Sequence, residues 1–311
     1  MNPVPPGSIV SALWAGAAFL EARGVPSPRL DAEVLLSWAL GETRLELYLA
    51  PERSIGPREL ARFRSALEER ATHRPLAYIT GFREFLSRRF RVGPSVLIPR
   101  PETEFLVETA SRLLKQEAAG AAAMAAPVVV EAGTGSGAVA VCIALACPIA
   151  VIWATELSRD ALAIAMENAL LHDVLERIRF LEGDLFEPLS GLGLTGTVDL
   201  VVSNPPYVPS WQVEKLPGSI RDHEPWIALD GGPDGLCFHR RILAEALPLL
   251  KPGGWMVLEV GEGQAGAVCD TARRLGCYKE PGIVKDYAGI DRVVFLQKTI
   301  IGKLGYDAQE H

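Results

Sequence analysis

Asn204, Pro205, Pro206 and Tyr207 form a tetrapeptide whose hydrogen-bonding chemistry is one-sided. Asn204 brings a side-chain carbonyl, and the Asn204 and Pro205 main-chain carbonyls add further acceptors. The two prolines carry no backbone N–H. A cluster rich in acceptors and poor in donors suits a ligand –NH2 group, whose hydrogens must be held. Tyr207 adds a flat ring against which a planar group can stack. The chemistry this favours is modification of a planar amino or amide group at nitrogen. Asn-Pro and Pro-Pro also punctuate ordinary turns, so the four residues alone leave a plain loop open.

A second constellation lies upstream, in Glu131-Ala132-Gly133-Thr134-Gly135-Ser136-Gly137. Glycines let a backbone approach a ligand closely, and a helix opening after them presents free N–H groups. The spacing is ambiguous, because Gly133, Gly135 and Ala138 also satisfy the relaxed dinucleotide pattern G-x-G-x-x-A. Glu156 suits either kind of cofactor, since a carboxylate at a strand end accepts from both ribose hydroxyls. Asp184, in Gly183-Asp184-Leu185, reads either as a ligand acceptor or as a helix cap. The chain lacks the phosphate loop G-x-x-x-x-G-K-[ST], which argues against nucleotide hydrolysis.

The elements that must position these residues follow from periodicity. Val198–Ser203 is an apolar, β-branched run that reads as a buried strand, and the prolines end it. The tetrapeptide therefore sits beyond the carboxyl edge of a sheet, where open α/β sheets bind ligands. Residues 8–74 read as four helices, and 75–81 as an exit from them. Phe82–Phe85 and Arg89–Val92 alternate as a hairpin. A helix runs from Glu102 to about Gln116, and the Ala-rich residues 117–126 read as a helix end and linker. From Pro127 onward strands and helices alternate, which specifies a mainly parallel sheet. The last two strands, Ile283–Asp286 and Arg292–Gln297, have no helix between them and should pair antiparallel. The expected class is α/β: a seven-stranded, mainly parallel sheet with a terminal antiparallel hairpin, plus a small N-terminal helical domain. The expected divisions are 1–80 (helical, recognising the substrate), 81–95 (hairpin linker), 96–298 (catalytic) and 299–311 (tail).

Composition narrows the classes. The 311 residues carry a net charge of −7, which weighs against a chain that mainly grips duplex nucleic acid. Residues 1–92 hold 13 Lys/Arg against 10 Asp/Glu, about +3, and the remainder 18 against 28, about −10. The five cysteines are scattered, without metal spacing, so no metal and a reducing cytoplasmic setting are expected. The uncharged stretch 132–155 is broken by Gly133, Gly135, Gly137 and Pro148, so no membrane span is expected.

The seven strands with their terminal hairpin resemble the fold of S-adenosylmethionine-dependent methyltransferases. Taken together, Ile98-Pro99-Arg100-Pro101-Glu102-Thr103-Glu104, the Gly133–Gly137 loop, Asn204-Pro205-Pro206-Tyr207, Arg221-Asp222-His223-Glu224-Pro225 and Asp286–Arg292 resemble the release-factor glutamine methyltransferases, the PrmC/HemK family. The match covers nearly the whole chain. Relatives that methylate a glutamine of a ribosomal protein typically read Pro-Arg-Ser-Pro where this chain has Pro-Arg-Pro-Glu. Glu131 and Glu156 stand where Asp is common in the family.

The resemblance implies methyl transfer from S-adenosylmethionine to the side-chain amide nitrogen of the glutamine in the Gly-Gly-Gln motif of bacterial class-1 peptide chain release factors. It implies that Glu131, Gly133, Thr134, Gly135, Ser136, Gly137, Glu156, Asp184, Leu185 and Asn204 hold the cofactor, with Asp184 on the adenine amino group and Leu185 on its ring. Asn204, Pro205, Pro206 and Tyr207 bind the glutamine; Asn204, Pro205 and Tyr207 carry the chemistry. A monomer with no stable nucleic-acid partner is expected. An adenine-N6 methyltransferase acting on nucleic acid shares the acceptor tetrapeptide, but would want a basic groove and base-flipping aromatics. A dinucleotide-binding oxidoreductase or a silent binding module leaves the tetrapeptide without a role. The residues alone assign no role to Arg100 or to Arg221–Trp226.

Overall fold

The computed structural model describes residues 7–120 and 126–300. Residues 121–125 of the Ala-rich stretch and residues 301–311 of the expected tail lie outside them. The chain divides into two compact units, one running to Phe82 together with Pro217–His223, the other comprising Arg83–Leu216 and the residues from Glu224 onward.

The first unit is helical. α1 (Ile9–Glu21) starts at Ser8, whose side chain accepts from the Ser11 N–H. α2 (Pro28–Leu40) opens on a proline and stops at Gly41, in the left-handed conformation. α3 (Arg44–Leu49) has a capping box between Thr43 and Glu46, and α4 (Pro57–Ala71) follows. Ile9, Leu20, Leu35, Leu36, Leu47, Phe63 and Leu67 form the core. The exit expected over 75–81 is instead a further helical turn, α5 (Leu76–Thr80), ended by Gly81. Pro75 does not prevent this, because proline is tolerated ahead of a first turn.

In the second unit a hairpin joins β1 (Phe82–Phe85) to β2 (Arg88–Arg91) through Leu86 and Ser87, both at positive φ. Glu104 Oε1 accepts from the Leu86 N–H at 2.9 Å, and so fixes this turn to α6 (Thr103–Gly120). Then come β3 (Val128–Ala132), α7 (Ala138–Ala146), β4 (Val151–Glu156), α8 (Arg159–Leu171), β5 (Ile178–Glu182) and β6 (Val198–Ser203). The short helix α9 (Ser210–Val213) follows; α10 (Gly218–Arg221) belongs to the first unit, and the second resumes with α11 (Cys237–Glu245), β7 (Leu250–Glu259), α12 (Ala265–Leu275), β8 (Gly282–Lys285) and β9 (Asp291–Gln297).

The seven-stranded sheet has the order β5-β4-β3-β6-β7-β9-β8. β9 is antiparallel to both neighbours, and the other pairings are parallel. The fold class read from the sequence is therefore found. One face of the sheet is covered by a core containing Leu106, Leu113, Val139 and Ile143, the other by one containing Ile242, Leu243, Val268 and Cys269. β7 begins five residues earlier than the expected Trp255, running through Lys251-Pro252-Gly253-Gly254. A register shift opposite Val198–Leu200 absorbs these turn-forming residues. The strand order reverses between β3 and β6, and the crevice beyond their carboxyl ends lies at this switch point.

Candidate active site

A cleft of about 1040 Å³, counting its open mouth, occupies that crevice. Its lining brings together Glu131, Gly133, Thr134, Gly135, Ser136, Glu156, Asp184, Leu185, Asn204, Pro205 and Pro206. Two expected residues stand off it. Gly137 lies behind, at φ +77°, where a side chain would press on the Ala165 backbone 3.0 Å away. Tyr207 is not part of the cleft lining, and its hydroxyl donates to Glu259 Oε1 at 3.3 Å. Burial pushes the Tyr207 hydroxyl above its ordinary range and keeps the proton on it.

The glycine loop is held by its own amides. Gly133 and Thr134 N–H both donate to Thr155 O, at 2.9 and 3.0 Å. Gly135 N–H donates to Glu156 Oε2 at 2.8 Å, and Gly137 N–H to Thr134 O at 2.8 Å. Asn168, fully buried on α8, donates to Ser136 O at 2.8 Å and to Arg91 O at 2.9 Å, locking the loop from behind. Amides engaged in this way do not make a phosphate nest. Glu156, which takes the Gly135 N–H, also sets an acidic side chain where a dinucleotide pyrophosphate would lie. This removes the dinucleotide reading of Gly133, Gly135 and Ala138.

Glu131 is 2% exposed and accepts from the Thr134 hydroxyl at 2.5 Å. Burial pushes its carboxyl up to about 8, against the pull of the Thr134 bond, and the nearby Glu156 charge raises it further. A cation bound beside this carboxyl would favour its ionised form and so offset the cost of burying the charge. Glu156 receives Gly135 N–H on one oxygen and Ser158 N–H on the other, at 2.8 and 3.0 Å, so the carboxylate is aimed before any hydroxyl reaches it. Asp184 is gripped by Arg241 through both oxygens, at 3.2 and 2.9 Å. Each oxygen keeps a lone pair for a further donor. Leu157, Leu185, Ile227 and Phe238 supply apolar wall. A cationic end, a diol and an amino-bearing aromatic ring are thus each matched, which fits S-adenosylmethionine.

At the acceptor end Asn204 Nδ2 donates to Thr103 Oγ1 at 3.1 Å. That leaves Asn204 Oδ1 as a free acceptor beside the Pro205 carbonyl. Ser203 Oγ donates to Ala132 O at 2.7 Å and pins the end of β6 to that of β3. Behind the tetrapeptide, glycines allow close backbone approach: a Cβ on Gly231 would lie 2.8 Å from Pro206 O, and one on Gly235 would strike Tyr207 O. Gln264 Nε2 donates to Tyr207 O at 2.8 Å. Arg100 and Glu224, to which the residues alone assigned no role, form a 2.5 Å ion pair, and Glu224 also accepts from Ile98 N–H at 3.2 Å. The pair fastens the segment beginning Pro225, which lines the cleft with Ile227 and Ala228, to the segment before α6.

Thr103, Asn168, Gly235, Glu259 and Gln264 were not singled out from the sequence. The glycine cluster Gly231-Gly232 and Gly235 was a visible signal of close packing; the others come from distant parts of the chain and carry no local mark. Among the described residues no helix is long and apolar enough to cross a membrane, and no group of three or more His, Cys, Asp or Glu could hold a metal ion.

Known proteins match this arrangement along most of its length. The PrmC N-terminal domain family matches residues 11–81, and the methyltransferase small domain family residues 105–216. A release factor glutamine methyltransferase of Moorella thermoacetica is 43% identical over 281 residues, covering 90% of this chain and 95% of the relative. One of Geobacter sulfurreducens is also 43% identical, over 276 residues, covering 89% and 92%. The N-terminal domain of human METTL16 shares the fold, with a TM-score of 0.51 at 13% identity over 80% of this chain and 85% of that one.

Proposed function

This chain belongs to the release factor glutamine methyltransferase family, and we propose that it methylates the side-chain amide nitrogen of the Gly-Gly-Gln glutamine of class-1 peptide chain release factors. S-adenosylmethionine, when bound, supplies an electrophilic methyl group on a sulfonium. Glu131 holds the cationic end, Glu156 the ribose hydroxyls, and Asp184 with Leu185 the adenine. The helical unit recognises the substrate protein, the chain acts as a monomer, and its setting is the cytoplasm.

The reaction needs little proton chemistry from the protein beforehand. An amide nitrogen is a poor nucleophile because its lone pair is delocalised. Asn204 Oδ1 and the Pro205 carbonyl clasp its two hydrogens and aim the nitrogen along the line of attack. As the N–C bond forms and the methyl's bond to sulfur breaks, positive charge develops on nitrogen, the same acceptors stabilise it, and one proton then leaves the nitrogen for solvent. Tyr207, off the cleft lining, keeps its hydroxyl on Glu259 and supports the turn that carries the two acceptors. The observation that carries this reading is the Asn204–Thr103 bond, which leaves the carboxamide oxygen as the end available to a ligand.

Purified protein, S-adenosylmethionine and a release factor are incubated together, and the product is mapped by peptide mass analysis. One methyl on the Gly-Gly-Gln glutamine supports the reading. Methylation of a parallel oligonucleotide at adenine, or of a ribosomal protein in place of the release factor, would falsify it.

A further inference from the structure

We propose that Glu259 is a positioning residue that acts through Thr103, setting which end of the Asn204 carboxamide faces the substrate; this rests on the methyl-transfer reading above. Glu259 ends β7, one position past the Ser203–Leu258 pair, so the register carries it level with Asn204. It is 1% exposed. Tyr207 donates to Oε1 at 3.3 Å, while Oε2 is buried without a closed hydrogen bond. Thr103, 3% exposed, also lies against the carboxyl and favours its ionised form. Thr103 Oγ1 already accepts from Asn204 Nδ2, so its own proton needs an acceptor, and Glu259 Oε2 is a buried acceptor without a partner.

The direction of the relay follows from counting donors. An ionised carboxylate can only accept. It therefore obliges the Thr103 hydroxyl to donate to it and to offer Asn204 a lone pair. Asn204 must then present Nδ2 to Thr103 and Oδ1 to the cleft, the orientation that holds a substrate –NH2. A protonated Glu259 donates instead, and Thr103 can then turn its proton on Asn204 and swing the carboxamide round.

Burial pushes the Glu259 carboxyl up to about 7, against the Thr103 and Tyr207 hydroxyls that stabilise its charge. Glu102, ahead of α6, raises it further, and Arg292 on β9 draws it down. The His239 ring on α11 meets the Glu259 main-chain carbonyl at 2.8 Å, and burial lowers the ring's own pKa. The transition between the two relay directions thus falls near neutrality.

The test is the pH dependence of kcat in wild type, E259Q, E259D and T103V, with S-adenosylmethionine affinity measured alongside. Wild-type kcat is expected to rise with pH through about 7 and then level off. E259Q and T103V should lose that limb and up to about 10²-fold in kcat, with cofactor affinity unchanged. E259D, which keeps a carboxylate, should recover most of the rate. The double variant should lose no more than T103V alone, because both changes cut one path. E259Q with wild-type kcat and an unaltered limb, or losses that add in the double variant, overturns the proposal. The side-chain amide resonances of Asn204 give a readout that needs no acceptor substrate: they should titrate near pH 7 in wild type and not in T103V. That result stands even if the methyl acceptor proves to be another molecule, and an absence of titration in wild type counts against the relay whatever the substrate.

Discussion

Asn204 offers one carbonyl oxygen, and the account asks it to do most of the work of orientation. Removing it in N204A should lower kcat by roughly 10²–10³, the range found when one preorganised group is deleted from a site of developing charge. Cofactor affinity should fall far less than kcat, since Glu131, Glu156 and Asp184 are untouched; isothermal titration measures that separately from turnover. Glu131 makes a different prediction. Its folded-state pKa is raised to about 8 from an ordinary 4.5, so the ligand-free protein binds that proton more tightly than the unfolded chain does. Its contribution to stability is present below about 4.5 and is lost as pH rises through about 8. Thermal melts of the ligand-free protein should therefore show a fall in Tm across that window that is smaller in E131Q. Added S-adenosylmethionine should raise Tm most at the alkaline end, where its cation meets an ionised carboxylate. A Tm increment independent of pH would remove Glu131 from the cofactor site.

At the scale of elements, the site is a set of strand ends brought level by register. Glu131 pairs with Val202 across β3 and β6, and Ser203 with Leu258 across β6 and β7. The strands themselves were legible because β-branched apolar runs alternate with helical spacing, and Asn-Pro-Pro marks where one must stop. The order of the strands was not legible in detail. Thr103 and Asn204 are 101 residues apart and Tyr207 and Glu259 are 52 apart, so no local pattern could pair them. Glu259 in particular reads as the polar end of an apolar strand until its neighbours are in place. Pro252-Gly253-Gly254 misled the reading of β7, since turn residues can be carried inside a strand when a register shift accommodates them. The back wall of the tetrapeptide gives this scale its prediction. Gly235 is at φ +75°, and a methyl there would strike the Tyr207 carbonyl. G235A should therefore displace the Asn-Pro-Pro-Tyr turn and lower kcat by as much as about 10²-fold. Melting temperature should fall as well, by several degrees, since left-handed strain on the order of 1–2 kcal/mol adds to the collision with the Tyr207 carbonyl. Equal losses of activity and folded protein would show that the turn was never displaced.

For the molecule as a whole, the two units differ in what they expose. The helical unit leaves Leu45 67%, Leu49 75% and Trp14 68% exposed, with Tyr48 half exposed beside the first two on α3. The Arg29 guanidinium lies 5.5 Å from the Trp14 ring centroid. Leu45, Tyr48 and Leu49, neighbours on α3, are the apolar surface this unit offers to another macromolecule. On the proposed role of this unit, W14A and L49A should raise KM for a folded release factor while leaving kcat near wild type. Steady-state kinetics with the whole factor would show it, and an unchanged KM in both variants would place docking elsewhere. The acidic balance of residues 93–311, about −10, already pointed away from nucleic acid as the principal partner, and composition could say no more than that.

The central claim is geometric, that a donor-poor pocket holds a primary carboxamide by both hydrogens. The most direct measurement is a crystal structure with S-adenosylhomocysteine and a Gly-Gly-Gln peptide bound. The account expects the glutamine amide nitrogen about 2.9 Å from Asn204 Oδ1 and from the Pro205 carbonyl, with Asn204 Nδ2 still on Thr103. An Asn204 side chain turned away from the glutamine and bonded only within the protein would contradict it.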